Sequence, residues 1–257
     1  MSDAPPPGAE DSARVRELLP EPGETTIAAR FADLGLIERA PADRPYTVLN
    51  FAATVDGRAA IDGRAGPIGS KIDGELLQRL RTQVDAVMIG AQTMRAERYG
   101  RMVSDSSLRS WRERIGLPHD PLAVIVSGRL DLPWDAKLFT DGGGRVLIFT
   151  AAEVDPPETA TPVRVVRHDG YVNLIDALRF LRQERGVRAL LCEGGPRMHA
   201  QLWAAGLADE LFLTTSPKLA GGDAPSILEG ELAATQELEL AWLLEAEGEL
   251  FARYAKA

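Results

Sequence analysis

The chain has 257 residues, of which 45% are hydrophobic and 26% charged, enough for one large core or two small ones. A formal net charge of −9 argues against a broad nucleic-acid or anionic-membrane footprint, though not against a local basic pocket for a small phosphorylated ligand. A lone cysteine makes no internal disulfide and no cysteine-rich metal site. No apolar run reaches the roughly 18 residues of a membrane span, and the first residues lack a signal-peptide core, so a cytoplasmic enzyme or binding protein is expected.

Residues 1–44 differ from the rest. Prolines and acids are frequent, and two helical patterns (12–19 and 25–37) flank Pro20 and Pro22, which predicts a mobile tail and a helical arm. From residue 45 to 257 strands and helices alternate. Strand 46–55 ends at the turn dipeptide Asp56-Gly57, and an amphipathic helix over 72–82 places Leu76, Leu77 and Leu80 on one face. Strand 84–90, helix 106–115 and the strands 122–127, 146–150 and 163–167 follow. Helix 174–185, strand 187–191, helix 198–205 and strand 210–216 come next. A hairpin over 238–245 and 250–254 closes the chain. This alternation predicts an α/β fold with a mainly parallel central sheet, flanking helices and a C-terminal antiparallel hairpin. Ligands in such sheets sit beyond the carboxyl ends of the strands, so the loops after Val55, Gly90, Ser127 and Glu193 are the places to look.

The most informative loop reads Cys192-Glu193-Gly194-Gly195-Pro196. A buried strand turning through glycines into a helix N-terminus suits a phosphate, because bare backbone approaches closely and free N–H groups favour an anion. Taken alone, the same residues also describe a plain tight turn. P-loop, G-x-G-x-x-G and G-x-S-x-G signatures are missing, and His119, His168 and His199 lack metal-ligand spacing. His119 is expected in solvent and His199 on the surface of its helix. Cys192 is expected to be a small buried hydrophobe without a base to activate it.

Three segments in order, Asn50-Phe-Ala-Ala-Thr-Val-Asp56-Gly57, Gly90-Ala-Gln-Thr93-Met-Arg95-Ala-Glu97 and Glu193-Gly194-Gly195-Pro196, are followed by Ser216-Pro217-Lys218 and Gly221-Gly222. Together they resemble the reductase domain of riboflavin biosynthesis, 5-amino-6-(5-phosphoribosylamino)uracil reductase, over about residues 44–254. The resemblance implies a dihydrofolate-reductase-like fold, NADPH as cofactor, a pyrimidine nucleotide-like substrate whose ribosyl group becomes ribityl, and a homodimer associating through sheet edges. The deaminase domain of two-domain relatives is not expected within these residues, since its H-x-E and P-C-x-x-C elements are missing.

By the same resemblance, Ala53 and Thr54 lie beside the nicotinamide, and Gly90 and Thr93 form a second cofactor loop. Gly194, Gly195 and Pro196 cradle the pyrophosphate, while Ser127 and Arg129 face the adenosine end, where a 2′-phosphate favours NADPH over NADH. Asn50, Asp56, Arg81, Glu97 and Glu193 are the implied substrate residues, with Arg81, Arg95, Arg98 and Arg101 available as phosphate cations. The sequence departs from the family at Asn50, often Lys, at Glu97-Arg98-Tyr99, often Asp-Asp-Pro, and at Gly66-Pro67-Ile68-Gly69-Ser70-Lys71, where a tryptophan segment is usual. Two alternatives stay open: an NADPH-dependent reductase of another heterocycle such as dihydrofolate, and a nucleotide-binding protein without turnover. An acid inside the first helix would favour a pterin-like ligand, and Glu75, the acid well inside it, lies on the polar face.

Overall fold

Where helices were expected at the N-terminus, the chain forms strands. The computed structural model describes residues 6–257, so the first five residues of the expected tail lie outside it. Strands β1 (Arg14–Leu19) and β2 (Gly23–Thr26) pair antiparallel from Arg14↔Thr26 to Glu17↔Gly23. Pro20 and Pro22 leave no room for a continuing helix, and the backbone reverses there. The second expected helix shrinks to one turn, α1 (Ile27–Arg30), capped by the Thr26 hydroxyl. Phe31, Leu34 and Leu36 are buried all the same, so the apolar spacing marks core contacts made mainly by a loop.

The remaining elements keep the expected order, with two short helices, α3 and α5, that the sequence reading did not assign: β3 (Tyr46–Thr54), α2 (Lys71–Thr82), β4 (Ala86–Gly90), α3 (Ala91–Glu97), α4 (Ser106–Arg114), β5 (Leu122–Val126) and α5 (Lys137–Thr140). Then come β6 (Val146–Thr150), β7 (Val163–Arg167), α6 (Leu174–Arg185), β8 (Ala189–Cys192), α7 (Pro196–Ala204), β9 (Glu210–Ser216), β10 (Leu238–Ala246) and β11 (Glu249–Lys256). All eleven strands form one sheet in the order β2-β1-β10-β11-β9-β3-β8-β4-β5-β6-β7. From β9 to β7 the pairs are parallel; β11, β10, β1 and β2 extend the sheet antiparallel. The C-terminal hairpin has no free edge, because β1 covers β10 and β9 covers β11; the sheet ends at β2 and β7.

Pleat alternation divides the core. Val48, Val87 and Ile89 face Leu76, Leu80 and Met94 on one side, with Leu138 and Phe139 of α5. Leu49, Ala86 and Met88 face α6 and α7 on the other, through Leu178, Leu181 and Leu202. Both faces of the parallel strands are therefore covered, as their continuous apolar runs require. The decisive topological feature is β8. It enters between β3 and β4 after the chain has travelled out to β7, so three carboxyl ends lie together at one crevice. Among the described residues, no helix is long and apolar enough to cross a membrane.

Candidate active site

The turn after β8 is made of backbone. Gly194 has φ 109°, a conformation that side chains resist. The Gly90 N–H donates to the Gly194 carbonyl over 2.8 Å, tying the end of β4 to the turn. A Cβ on Gly90 would come 3.4 Å from the Gly195 nitrogen, and one on Gly195 would come 3.2 Å from the Thr93 hydroxyl. Gly90, Thr93, Gly194 and Gly195 thus meet at one point. Gly195 is the N-cap of α7, Pro196 stands in its first turn, and no side chain caps the helix. Bare glycine backbone leading into an uncapped helix N-terminus is a suitable seat for a pyrophosphate.

Beneath the turn, the Phe51 ring is 3.5 Å from where a Cβ on Gly194 would be and meets the His199 ring edge-on, 4.4 Å between centroids. His199 is buried rather than on the surface, with Nε2 3.3 Å from the Cys192 carbonyl. Burial pushes its pKa down to about 3, so the imidazole is neutral and supports the turn rather than acting as a base. The Cys192 thiol is fully buried and its pKa is pushed up to about 12 by burial, which leaves no thiolate.

Beside the turn lies a cavity of about 420 Å³ whose wall includes Asn50, Arg81, Glu97 and Glu193, together with residues of the 65–74 segment and Tyr99. Arg81 is not a solvated helix-face charge. Its Nε and Nη2 each donate to Glu193 over 2.6 Å, its Nη1 donates to the Met102 carbonyl over 2.7 Å, and the Tyr99 ring is 5.5 Å away. Both side chains of this ion pair are buried. Burial first, and then the Glu193 charge, hold the Tyr99 phenol well above its ordinary pKa, so it keeps its proton. Glu97 accepts the Ala65 N–H over 2.8 Å and thereby fixes the incoming loop. The Asn50 Oδ1 is buried and has no hydrogen-bond partner among the described residues.

The other expected site residues are placed as follows. Ala53 and Thr54 are buried at the end of β3. The Thr54 hydroxyl donates to Asp56 over 2.6 Å, and Asp56 accepts the N–H groups of Ala220 and Gly221. Asp56 therefore clamps the Gly221-Gly222 loop and is not part of the cavity wall. The Thr54 bond first, then those two backbone bonds, lower its pKa to about 2. Lys218 Nζ donates to the Pro67 and Ile68 carbonyls, anchoring the 66–71 segment. Ser127 is buried at the end of β5, whereas Arg129 is exposed and makes no ion pair among the described residues. The remaining candidate cations are engaged: Arg95 with Asp131, Arg98 with Asp135 and Arg101 with Asp120.

The sequence reading missed Asp73. Glu75 turns away from the cavity to the Ser12 hydroxyl and the Ala13 N–H, while Asp73 lies in the cavity wall. A signal existed, since 73, 77 and 81 share one helix face at four-residue spacing, and Arg81 was already a candidate.

Comparison with known proteins defines the class first: residues 45–247 match the RibD C-terminal domain, and the chain belongs to that family. Its relatives include 2,5-diamino-6-ribosylamino-4(3H)-pyrimidinone 5′-phosphate reductase of Archaeoglobus fulgidus, 32% identical over 73% of this chain and 88% of that protein. The Methanothermobacter thermautotrophicus protein of the same name is 29% identical over 73% and 85%. Riboflavin biosynthesis protein RibD of Bacillus amyloliquefaciens is 31% identical over 73% of this chain but only 50% of its own length. Among solved structures, a pyrimidine reductase-like protein of Corynebacterium diphtheriae superposes with TM-score 0.72 at 23% identity, over 86% and 97% of the two chains, a likeness of fold.

Proposed function

We propose that this chain is an NADPH-dependent reductase that converts a ribosylamino-pyrimidine 5′-phosphate to its ribitylamino form, taking a pyrimidine that still bears its 2-amino group. The observation that carries this reading is the junction at Glu193. It closes a cavity wall of polar side chains on one side and begins a turn of bare glycines on the other. A dinucleotide against the turn and a pyrimidine in the cavity then meet at that residue. Two archaeal relatives that match over 88% and 85% of their own length are named as reductases of the diamino compound, which supports the same choice.

When bound, NADPH would supply the hydride that reduces the opened sugar at C1′. The chain's own residues place the reactants. Gly90, Gly194 and Gly195 let the cofactor come close, and Thr93 presents its hydroxyl there. Glu193, fixed by Arg81, is a rigid acceptor for sugar hydroxyls. Asn50 has an unused carboxamide oxygen for the pyrimidine or sugar. Arg129, exposed beyond β5, is the cation assigned to the 2′-phosphate, with Ser127 beside it. A homodimer in the cytoplasm and a dihydrofolate-reductase-like classification complete the proposal. Sedimentation measures the assembly.

The test is NADPH absorbance with the diamino ribosylamino-pyrimidinone phosphate, its deaminated counterpart and dihydrofolate in parallel. Oxidation is expected with the diamino compound. No oxidation with either pyrimidine phosphate sinks the reading.

A further inference from the structure

We propose that Asp73 reads the pyrimidine: its carboxylate takes the donor edge of a 2-amino-pyrimidin-4-one, the N3–H and the 2-amino group, and rejects a 2-oxo ring. This rests on the proposed reductase function for the identity of the ligand, but not for the presence of the edge-reading group.

Three features of the cavity lead there. First, the carboxylate has one protein donor only: the Thr214 hydroxyl reaches Oδ1 over 2.6 Å, which leaves Oδ2 without a partner among the described residues. Second, no cation among the described residues pairs with it. On its own helix Arg81 is taken up by Glu193 and the Met102 carbonyl, and from the loop after β9 Lys218 is spent on Pro67 and Ile68. The charged group that acts on Asp73 from β11 is another acid, Glu249, itself held by Ser70. A ligand bringing two N–H groups supplies what the protein withholds. Third, the 66–71 segment is shaped for this carboxylate. A Cβ on Gly69 would fall 2.1 Å from Asp73 Oδ2, so only glycine there lets the carboxylate lie where it does.

The chemistry discriminates. In a 2-amino-pyrimidin-4(3H)-one, N3–H and the 2-amino group are adjacent donors, a match for two carboxylate oxygens. Deamination puts a carbonyl oxygen in place of one donor, against an anion. Such a site loses a hydrogen bond and leaves a partly buried charge facing an acceptor. Burial first, with the Glu249 charge adding and the Thr214 bond opposing, raises the Asp73 pKa to about 6. The carboxylate form dominates above that pH, and the preference for the 2-amino ring fades as pH falls through it.

The same donor edge occurs in a monocyclic ribosylamino-pyrimidinone phosphate and in a dihydropterin, and the experiment separates them. Wild type, Asp73→Asn and Gly69→Ala are each given the diamino pyrimidine phosphate, its 2-oxo counterpart and dihydrofolate. Steady-state NADPH oxidation is measured, and so is equilibrium binding in the presence of NADP+. The Asn variant retains an acceptor for Thr214, and its folding is checked by thermal melting. We expect wild type to favour the 2-amino pyrimidine by about 10- to 100-fold in kcat/KM, chiefly through KM. In Asp73→Asn that ratio collapses to within about threefold, because the carboxamide offers an N–H to the 2-oxo ring, while NADPH affinity is kept. Gly69→Ala, which displaces the carboxylate, moves the ratio the same way. An equal ratio in wild type and Asp73→Asn overturns the assignment even where reduction of the diamino compound succeeds. If only dihydrofolate is reduced or bound, and in an Asp73-dependent manner, the assignment stands and the proposed substrate falls. If wild type binds neither 2-amino ligand, the assignment is overturned.

Discussion

The two sides of the crevice at β8 are built from different material. On the side proposed for the cofactor the surface is backbone, formed by Gly90, Gly194 and Gly195 with one hydroxyl from Thr93. On the side proposed for the substrate it is side chains: the Arg81–Glu193 pair, Glu97, Asn50, Tyr99 and Asp73. Backbone grips what every dinucleotide shares, and the grip is insensitive to pH. Side chains distinguish one heterocycle from another and carry the cost of burying charge. The contrast predicts that changes among the cavity side chains shift stability, in either direction, together with specificity, and that changes at the glycine turn act chiefly on cofactor affinity.

The largest effect is expected at Arg81. Arg81→Met leaves the buried Glu193 carboxylate without its two hydrogen bonds, which costs about 3–5 kcal/mol. In a chain of this size that lowers Tm by roughly 10 °C. Adding Glu193→Gln to Arg81→Met should recover much of the loss by removing the orphaned charge. A Tm within about 2 °C of wild type for the single variant would show that the pair is not a structural unit.

Next is the glycine turn. Gly194→Val forces a β-branched residue to φ 109° and drives its side chain toward Phe51. NADPH affinity, followed by cofactor fluorescence, should fall about 100-fold or more, with a stability loss of about 1–3 kcal/mol. Unchanged affinity would mean that the glycine pair is only a tight turn, and the distinction between the two walls would fail.

Asp73 sharpens the comparison by linking specificity to stability. Its pKa is about 6 in the folded protein and near 3.8 in the unfolded chain. Between these values the folded state holds the proton more tightly, so stability declines as pH rises through the window and the deficit is complete above it. Asp73→Asn should therefore stabilise the protein at pH 8 by about 2 kcal/mol, less at pH 5, in thermal melts. A gain independent of pH would assign the effect to packing instead.

The parallel half of the fold was legible because local patterns mark its strands and helices, although its strands pair over long distances. Strands β3 to β9 are short apolar runs, and α2 and α6 have clear apolar faces with Ser70 and Asn173 as N-caps. The N-terminal segment misled because β1 owes its conformation to a partner more than 200 residues away, β10, and no local pattern reports that pairing. His199 was misplaced for a related reason. A polar residue after a helix start reads as surface, yet here its ring fills the space between Phe51 and the Cys192 carbonyl. Asp73 escaped notice because its exposure is decided by Gly69 and Thr214, from a loop and from β9, neither of them on its own helix.

The smallest expected effect concerns the far end of the cofactor. Arg129 is exposed and unpaired among the described residues, so it is available to a 2′-phosphate at little desolvation cost. A guanidinium–phosphate contact in that setting is strong enough to set a preference but remains open to water and salt. Arg129→Ala should weaken NADPH binding by about tenfold at low ionic strength, leave NADH binding unchanged, and lose most of its effect at about 0.5 M salt. Those three readings separate a charge contact from a change in the glycine turn, which would weaken both cofactors alike and at any salt. Equal NADPH and NADH affinities in wild type would remove Ser127 and Arg129 from the site, while the turn at Gly194 would stand unaffected as the pyrophosphate seat.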